Sequence, residues 1–219
     1  MTKRNKSCES KVMLTMQRKE LLKKSAIRYA EYYGMVEVQD ALYADSASEK
    51  IFTNLISIIG SDANIKMAYR NLKSNKGSST PGVDGKTFKD LAEMSEEALV
   101  RCVRDKILNY QPKAVRRVYI PKPNGKMRPL GIPTVIDRIV QQSVLQVMEP
   151  ICEAKFYRHS YGFRPNRSTK NAVAVCYKLA QVDGFHYVVD VDIKGFFDNV
   201  DHGKLLKQIW TMGIRDKRL

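Results

Sequence analysis

"RRVYIPKPNGKMRPLGIP", residues 116–133, is the stretch on which the fold turns. Val118, Tyr119 and Ile120 precede Asn124-Gly125, and Met127, Leu130 and Ile132 follow it. An Asn-Gly pair tolerates the positive φ of a tight hairpin turn, so two short antiparallel strands are expected. Pro121, Pro123 and Pro129 lack an amide proton and have no place inside a central strand, which makes the hairpin an exposed ribbon or a sheet edge.

Outward from the hairpin the charge pattern is one-sided. From Lys106 to Ile136 there are seven cations (Lys106, Lys113, Arg116, Arg117, Lys122, Lys126, Arg128) and no Asp or Glu. The whole chain of 219 residues has a formal net charge of +15. Such an excess points to a polyanionic partner, nucleic acid first and an anionic membrane surface second. The cations cluster round a proline-rich hairpin and not along an amphipathic helix, which disfavours the membrane.

Hydrophobic residues make up 43% and charged residues 28%, the balance of a globular chain able to bury a core. No window approaches 18 consecutive apolar residues, and the basic N-terminus lacks the apolar segment of a signal peptide. Cys8, Cys102, Cys152 and Cys176 fall at irregular spacings, as expected of free thiols in a cytoplasmic protein.

The flanking patterns are mainly helical. "KELLKKSAIRYAEYY" (19–33) has the look of an amphipathic helix within an N-terminal extension over 1–50. Two short helices are expected on either side of Gly60-Ser61, then a loop in "NKGSSTPGVDGKT" (75–87). Ser95 caps a helix with Leu99, Val100, Val103 and Ile107 on its buried stripe. Thr134 caps another that runs towards Pro150, with Asp137 answering three residues later. "RHSYGFRPNRST" (158–169) reads as a loop, Ser168 caps a helix through Leu179, and a closing helix holds Leu205, Leu206, Ile209 and Trp210. Between those two lies "YVVDVDIKGFFDNVDH" (187–202), expected to begin as a β-strand. The order predicts an α+β fold, helix-rich with a β-hairpin and a small sheet.

In that strand alternate residues share a face, so Asp190 and Asp192 point the same way. Two carboxylates on one face repel and are costly to desolvate unless a cation lies near them. A salt bridge to one of 38 basic residues would satisfy a single aspartate. A hard divalent ion such as Mg²⁺, with water and phosphate in its remaining sites, would satisfy the pair. Spacing alone does not choose between Asp190 and Asp192 as the metal ligand. Beyond them Gly195 allows a sharp turn and Phe196-Phe197 supply an aromatic wall.

"DIKGFFDNVDH" resembles the first catalytic motif of the reverse transcriptases encoded by bacterial group II introns. Three further segments follow the family in colinear order over residues 52–219. "NLKSNKGSSTPGVDGKT" is similar to its extra N-terminal finger segment, "VYIPKPNGKMRPLGIPTVIDRIVQQ" to its fingers hairpin, and "HSYGFRPNRST" to the block after it. The resemblance implies a right-hand polymerase: fingers over 51–170 and the start of a palm over 171–219. It also implies an RNA-directed DNA polymerase that binds intron RNA to assist splicing and mobility.

By the same resemblance Asp192 is the catalytic, metal-binding carboxylate, with the Ile193 carbonyl as a further ligand of Mg²⁺. Two ions would occupy the complete site. Lys122 and Arg128 match cations that hold the nucleotide triphosphate, and Phe197 matches the aromatic under the incoming sugar. Lys76, Lys86, Lys113, Arg116, Arg117, Lys126, Arg164 and Arg167 are expected on the nucleic acid, with Tyr161 and Phe163 available for stacking. The expected partners are intron RNA, an RNA template, a DNA primer and deoxynucleoside triphosphates, with no membrane, in a cytoplasmic ribonucleoprotein.

Two near-motifs are set aside. "TPGVDGKT" (80–87) lacks the first glycine of a P-loop and the strand that should feed it. "YADS" (43–46) has serine where the family's second catalytic motif ends in aspartate, and it precedes the first motif. Only 27 residues follow Asp192, too few for that second motif. The chain is therefore expected to bind RNA without polymerising by itself, and an exposed palm surface would suit a homodimer. The second reading is a non-catalytic, maturase-like RNA-binding protein, which would gain nothing from a carboxylate turned towards phosphates.

Overall fold

The computed structural model describes residues 28–121, 123 and 125–219. Cys8, Lys122, Asn124 and most of the helix expected over 19–33 lie outside them; residues 28–32 are helical. The body is a set of helices round one long one. In chain order these are α1 (Met35–Ala47), α2 (Leu55–Ile59), α3 (Asp62–Lys73), the short α4 (Phe88–Leu91), α5 (Glu96–Leu108) and α6 (Val135–Glu153). Strands β1 (Arg116–Pro121) and β2 (Met127–Ile132) interrupt them, and α7 (Thr169–Gln181) and α8 (His202–Thr211) follow.

Capping sets these boundaries where the sequence placed them. The Ser61, Ser95, Thr134 and Ser168 side chains each accept a hydrogen bond from a first-turn amide of their helix. Thr134 and Asp137 form a reciprocal pair at the start of α6: the Asp137 amide bonds the hydroxyl at 3.2 Å, and the hydroxyl donates to Asp137 Oδ2 at 2.7 Å. The helix runs through Pro150 to Glu153, one turn beyond the expected end.

Helix α6 is the axis of the core. Its Val135, Ile139, Val147 and Ile151 are buried against Leu55, Ile59, Ile65, Val103 and Ile107. The four stripe residues of α5 are all buried, as the four-residue spacing predicts. Each such side chain contributes about 1.5–3 kcal/mol by leaving water.

A buried amide network pins the helices in register. Asn64 donates to the carbonyls of Ile59 and Ser143, both at 2.9 Å, and Gln146 donates to Asn64 Oδ1 at 2.7 Å. Asn71 bonds Gln146 Oε1, and Gln39 bonds the Gln146 carbonyl. A polar network with its bonds made rigidifies a core, where a half-made one would weaken it.

Helix α1 belongs to this body. Met35 and Leu42 are buried, and Ser46 donates to the Ile151 carbonyl at 2.8 Å. The "YADS" serine is thus a core fastener, consistent with setting that near-motif aside.

The chain end returns to the same body. Phe52 and Ile214 form a parallel bridge, with bonds of 2.8 Å from the Phe52 amide to the Gly213 carbonyl and from the Arg215 amide to the Phe52 carbonyl. Gly213 has φ +96°, and a Cβ there would lie 2.9 Å from the Lys50 carbonyl oxygen, so glycine is required. Asp216 is buried and accepts from the Ile56 amide.

One expectation fails. Residues 184–193 form no strand, and the only sheet among the described residues is the two-stranded β1–β2 ribbon. A strand is held by inter-strand hydrogen bonds, and no described backbone runs beside 187–193 to supply them. Tyr187 and Val188 are 94% and 95% exposed. The small sheet expected to carry the aspartates is therefore absent among the described residues.

Candidate nucleic-acid and metal site

The expected hairpin forms, with Val118 opposite Leu130 and Ile120 opposite Arg128, and with Gly125 at φ +76° in the connection. Paired residues share a face, so Arg116, Val118, Ile120, Arg128, Leu130 and Ile132 line one side of the ribbon. Arg117 and Tyr119 lie on the other. The cations are thus divided: Arg116 and Arg128 on one face, Arg117 on the opposite one. Lys122, the expected triphosphate partner of Arg128, is outside the described residues.

The first face is turned towards the glycine-rich loop. Arg116 Nε donates to the Pro81 carbonyl at 3.0 Å. Lys76, at the start of a 3-10 turn (Lys76–Ser79), and Lys86 are both exposed. Lys113, Arg117, Lys126 and Arg128 are exposed as well. The loop, the ribbon and the segment before it therefore all offer exposed cations, and Arg116 joins the loop to the ribbon.

The expected contacts of the 158–169 loop divide. Arg164 is an internal brace: its Nε donates to Glu153 at 2.9 and 3.1 Å, and Nη1 donates to the carbonyls of Tyr157 and Ser160. Its side chain is only 6% exposed, so its guanidinium is committed to protein and not to phosphate. This corrects its assignment to nucleic acid; the sequence shows a cation there but not the carboxylate eleven residues back. The Glu153 hydrogen bonds hold Arg164 above the usual arginine pKa, outweighing burial. Arg167 lies over the Tyr161 ring at 5.5 Å and donates to the Arg158 carbonyl. Phe163 is fully exposed with φ +54°, a backbone setting uncommon for an aromatic.

Asp190 and Asp192 are exposed, and neither makes an ion pair or side-chain hydrogen bond among the described residues. Gly195, at φ +63°, starts a 3-10 turn (Phe196–Asn199). Asn199 Nδ2 closes that turn on the Gly195 carbonyl at 2.8 Å. Phe196 and Phe197 meet edge to face at 5.4 Å, and Phe197 is 86% exposed. The sharp turn and aromatic wall read from sequence are both formed. The exposed carboxylates and the backbone carbonyl of the exposed Ile193 are hard oxygen donors of the kind Mg²⁺ takes. No group of three His, Cys, Asp or Glu that could hold a metal occurs among the described residues, so this donor set fits one loosely held ion and not a protein-built cage.

A cleft of about 630 Å³ lies elsewhere, between α1, α3 and α6. Its lining includes Asp40, Glu149 and Glu153 but no Lys or Arg, which suits neither phosphate nor nucleic acid.

Comparison with known proteins points to a family. The family model described as "Reverse transcriptase (RNA-dependent DNA polymerase)" matches residues 120–219, from the hairpin through Asp192 to the last residue. Protein YkfC of Escherichia coli is 45% identical over 148 residues, covering 65% of this chain and 38% of that protein. The group II intron-encoded protein LtrA of Lactococcus lactis is 38% identical over 172 residues, covering 78% of this chain and 28% of LtrA. A putative COX1/OXI3 intron 1 protein of Saccharomyces cerevisiae is 29% identical over 180 residues. Residues 120–219 thus match a reverse transcriptase domain. Within that class, the chain belongs to the family of reverse transcriptases and maturases encoded by group II introns. It spans less than two fifths of the length of the first two relatives.

Proposed function

We propose that this chain is the nucleic-acid-gripping part of an RNA-directed DNA polymerase that also binds the RNA of its intron. The observation that carries the reading is Asp192: exposed, unpaired among the described residues, and followed by the Gly195 turn and the open Phe197 ring, in a chain of net charge +15. A carboxylate that no described cation takes up suits an ion that arrives with its substrate.

Asp192 and the Ile193 carbonyl would hold Mg²⁺, which on binding neutralises charge on a triphosphate. Arg128 and Lys122 approach the phosphates from the hairpin, Arg as a planar fork and Lys as a point charge. Phe197 packs against the sugar. Phosphoryl transfer depends mainly on such positioning and charge neutralisation. Two-metal transfer needs carboxylates that bridge ions about 3.5–4 Å apart. Asp192 supplies one, and the chain by itself is proposed to bind RNA without extending a primer.

The test pairs two measurements on the same protein. Affinity for single-stranded RNA should fall steeply with salt, with log K linear in log[salt], because each neutralised phosphate releases a counterion. Primer extension with Mg²⁺ should be undetectable in this chain, and Asp192→Ala should abolish extension in a longer protein that contains it. A flat salt dependence, or extension by this chain that disappears with Asp192→Ala, contradicts the proposal. The second reading, a purely RNA-binding maturase-like protein, is favoured by the lack of a three-carboxylate cluster among the described residues. It requires Asp192→Ala to be silent in the longer protein.

A further inference from the structure

The glycine-rich loop and the hairpin are joined by a residue that neither the family motifs nor the charge pattern singles out. Arg138, in the first turn of α6, extends its guanidinium across three backbone segments. Nη1 donates to the Gly77 carbonyl at 2.9 Å, Nη2 to the Thr80 carbonyl at 2.5 Å, and Nε to the Pro133 carbonyl at 3.1 Å. Arg116 of β1 adds the Pro81 carbonyl. At the same place Gly82 is buried so close to α6 that a Cβ would lie 2.6 Å from Thr134 Cα. The loop is thus bound at Gly77, Thr80 and Pro81 by arginine donors and at Gly82 by backbone contact.

A carboxylate would be the usual partner for these guanidiniums, yet among the described residues Arg138 and Arg116 hydrogen-bond only to carbonyls. Four loop and hairpin-end oxygens are drawn inward, and the Asp84 carboxylate acts on Arg138 through its charge. Partial burial, and the Arg116 charge beside it, pull the Arg138 pKa below the usual guanidinium value, against an opposing pull from Asp84. Arg is suited to this use because its planar fork makes several directed bonds at once, which a lysine ammonium does not.

We infer that Arg138 is a positioning residue: it locks residues 77–82 onto the base of the hairpin, so that Lys76, Lys86, Arg116 and Arg128 meet RNA as one preformed surface. This rests on the RNA-binding reading above. Preforming the surface removes the ordering cost that a free loop would impose on each binding event. Arg138 acts through the loop and does not itself touch phosphate.

The experiment compares Arg138→Ala, Arg138→Lys and Gly82→Ala with the unchanged protein. The readouts are affinity for a short fluorescein-labelled single-stranded RNA, amide exchange over residues 76–86, and thermal midpoint. The two arginine variants separate fork geometry from charge, because lysine keeps the charge. Gly82→Ala forces the loop off α6 with every cation retained. All three are expected to speed exchange in the loop while α6 and α3 stay protected. All three should also weaken RNA binding, by about tenfold, the scale of a few interface groups losing their order.

Full affinity in Arg138→Lys would show that charge alone matters and overturn the inference. So would weak binding in Arg138→Ala beside normal binding in a Gly82→Ala protein whose loop is released, or unchanged loop exchange in Arg138→Ala. If a variant loses protection throughout, Arg138→Gln at lower temperature replaces it and is read the same way. Failure of the unchanged protein to bind RNA is a different result: it removes the proposed function, while loop exchange still reports the lock.

Discussion

Asp192 pairs with no described basic residue, whereas Glu153, eleven residues before Arg164, is paired. Position decides the difference, because Glu153 ends α6 where Arg164 of the 158–167 loop reaches back to it, and Asp192 lies exposed outside any helix or strand. A third carboxylate has yet another setting. Glu149, half-buried one turn before Glu153, has its pKa raised by burial first and by the Glu153 charge second. A carboxyl raised in the folded state binds its proton more readily there than in the unfolded chain, where its value is about 4.3. Ionising it therefore costs stability: the penalty is absent below the unfolded value and complete once pH exceeds the folded one. Glu149→Gln should raise the thermal midpoint at neutral pH, and the gain should vanish as the buffer is made acidic. A midpoint difference independent of pH would mean that desolvation of this carboxylate is not felt. The pattern of residues displays all these charges, but not which of them meet.

At the scale of the element, capping and periodicity were legible. The Ser95, Thr134 and Ser168 caps and the α5 stripe are local features, and local chemistry fixes them. Thr134 makes the sharpest test, because its hydroxyl is buried and bonds Asp137 twice over, while Asp137 Oδ1 is already without a partner. Thr134→Ala should cost about 1–2 kcal/mol in denaturant unfolding, towards the upper end of cap losses, with Thr134→Ser restoring most of it. A loss below about 0.5 kcal/mol would put this cap among the exposed ones. The hairpin was legible for the same reason: its turn residues and its partner strand adjoin in sequence. The strand at 187–193 was misread because alternation describes a side-chain pattern, while a strand also requires a neighbouring backbone.

In the whole molecule, residues 165–212 form an excursion between two anchors, Arg164 on Glu153 and the Phe52–Ile214 bridge with Asp216 on Ile56. Neither α7 nor α8 buries a residue, in contrast to α6. Segments with few buried contacts open most easily. Limited proteolysis should therefore cut first within 182–195 and leave the body from α1 to α6 intact; first cleavage in the 76–86 loop would contradict both this and the Arg138 lock. The amino-acid sequence by itself determined the helices, the hairpin, the excess of positive charge and the Asp192–Gly195–Phe197 motif, because propensity, caps and charge act over a few residues. Only the tertiary structure decided that Arg164 braces the protein, that Arg138 fastens the loop, and that the aspartate segment forms no strand. Those outcomes depend on which distant carbonyls, carboxylates and backbones come within bonding distance.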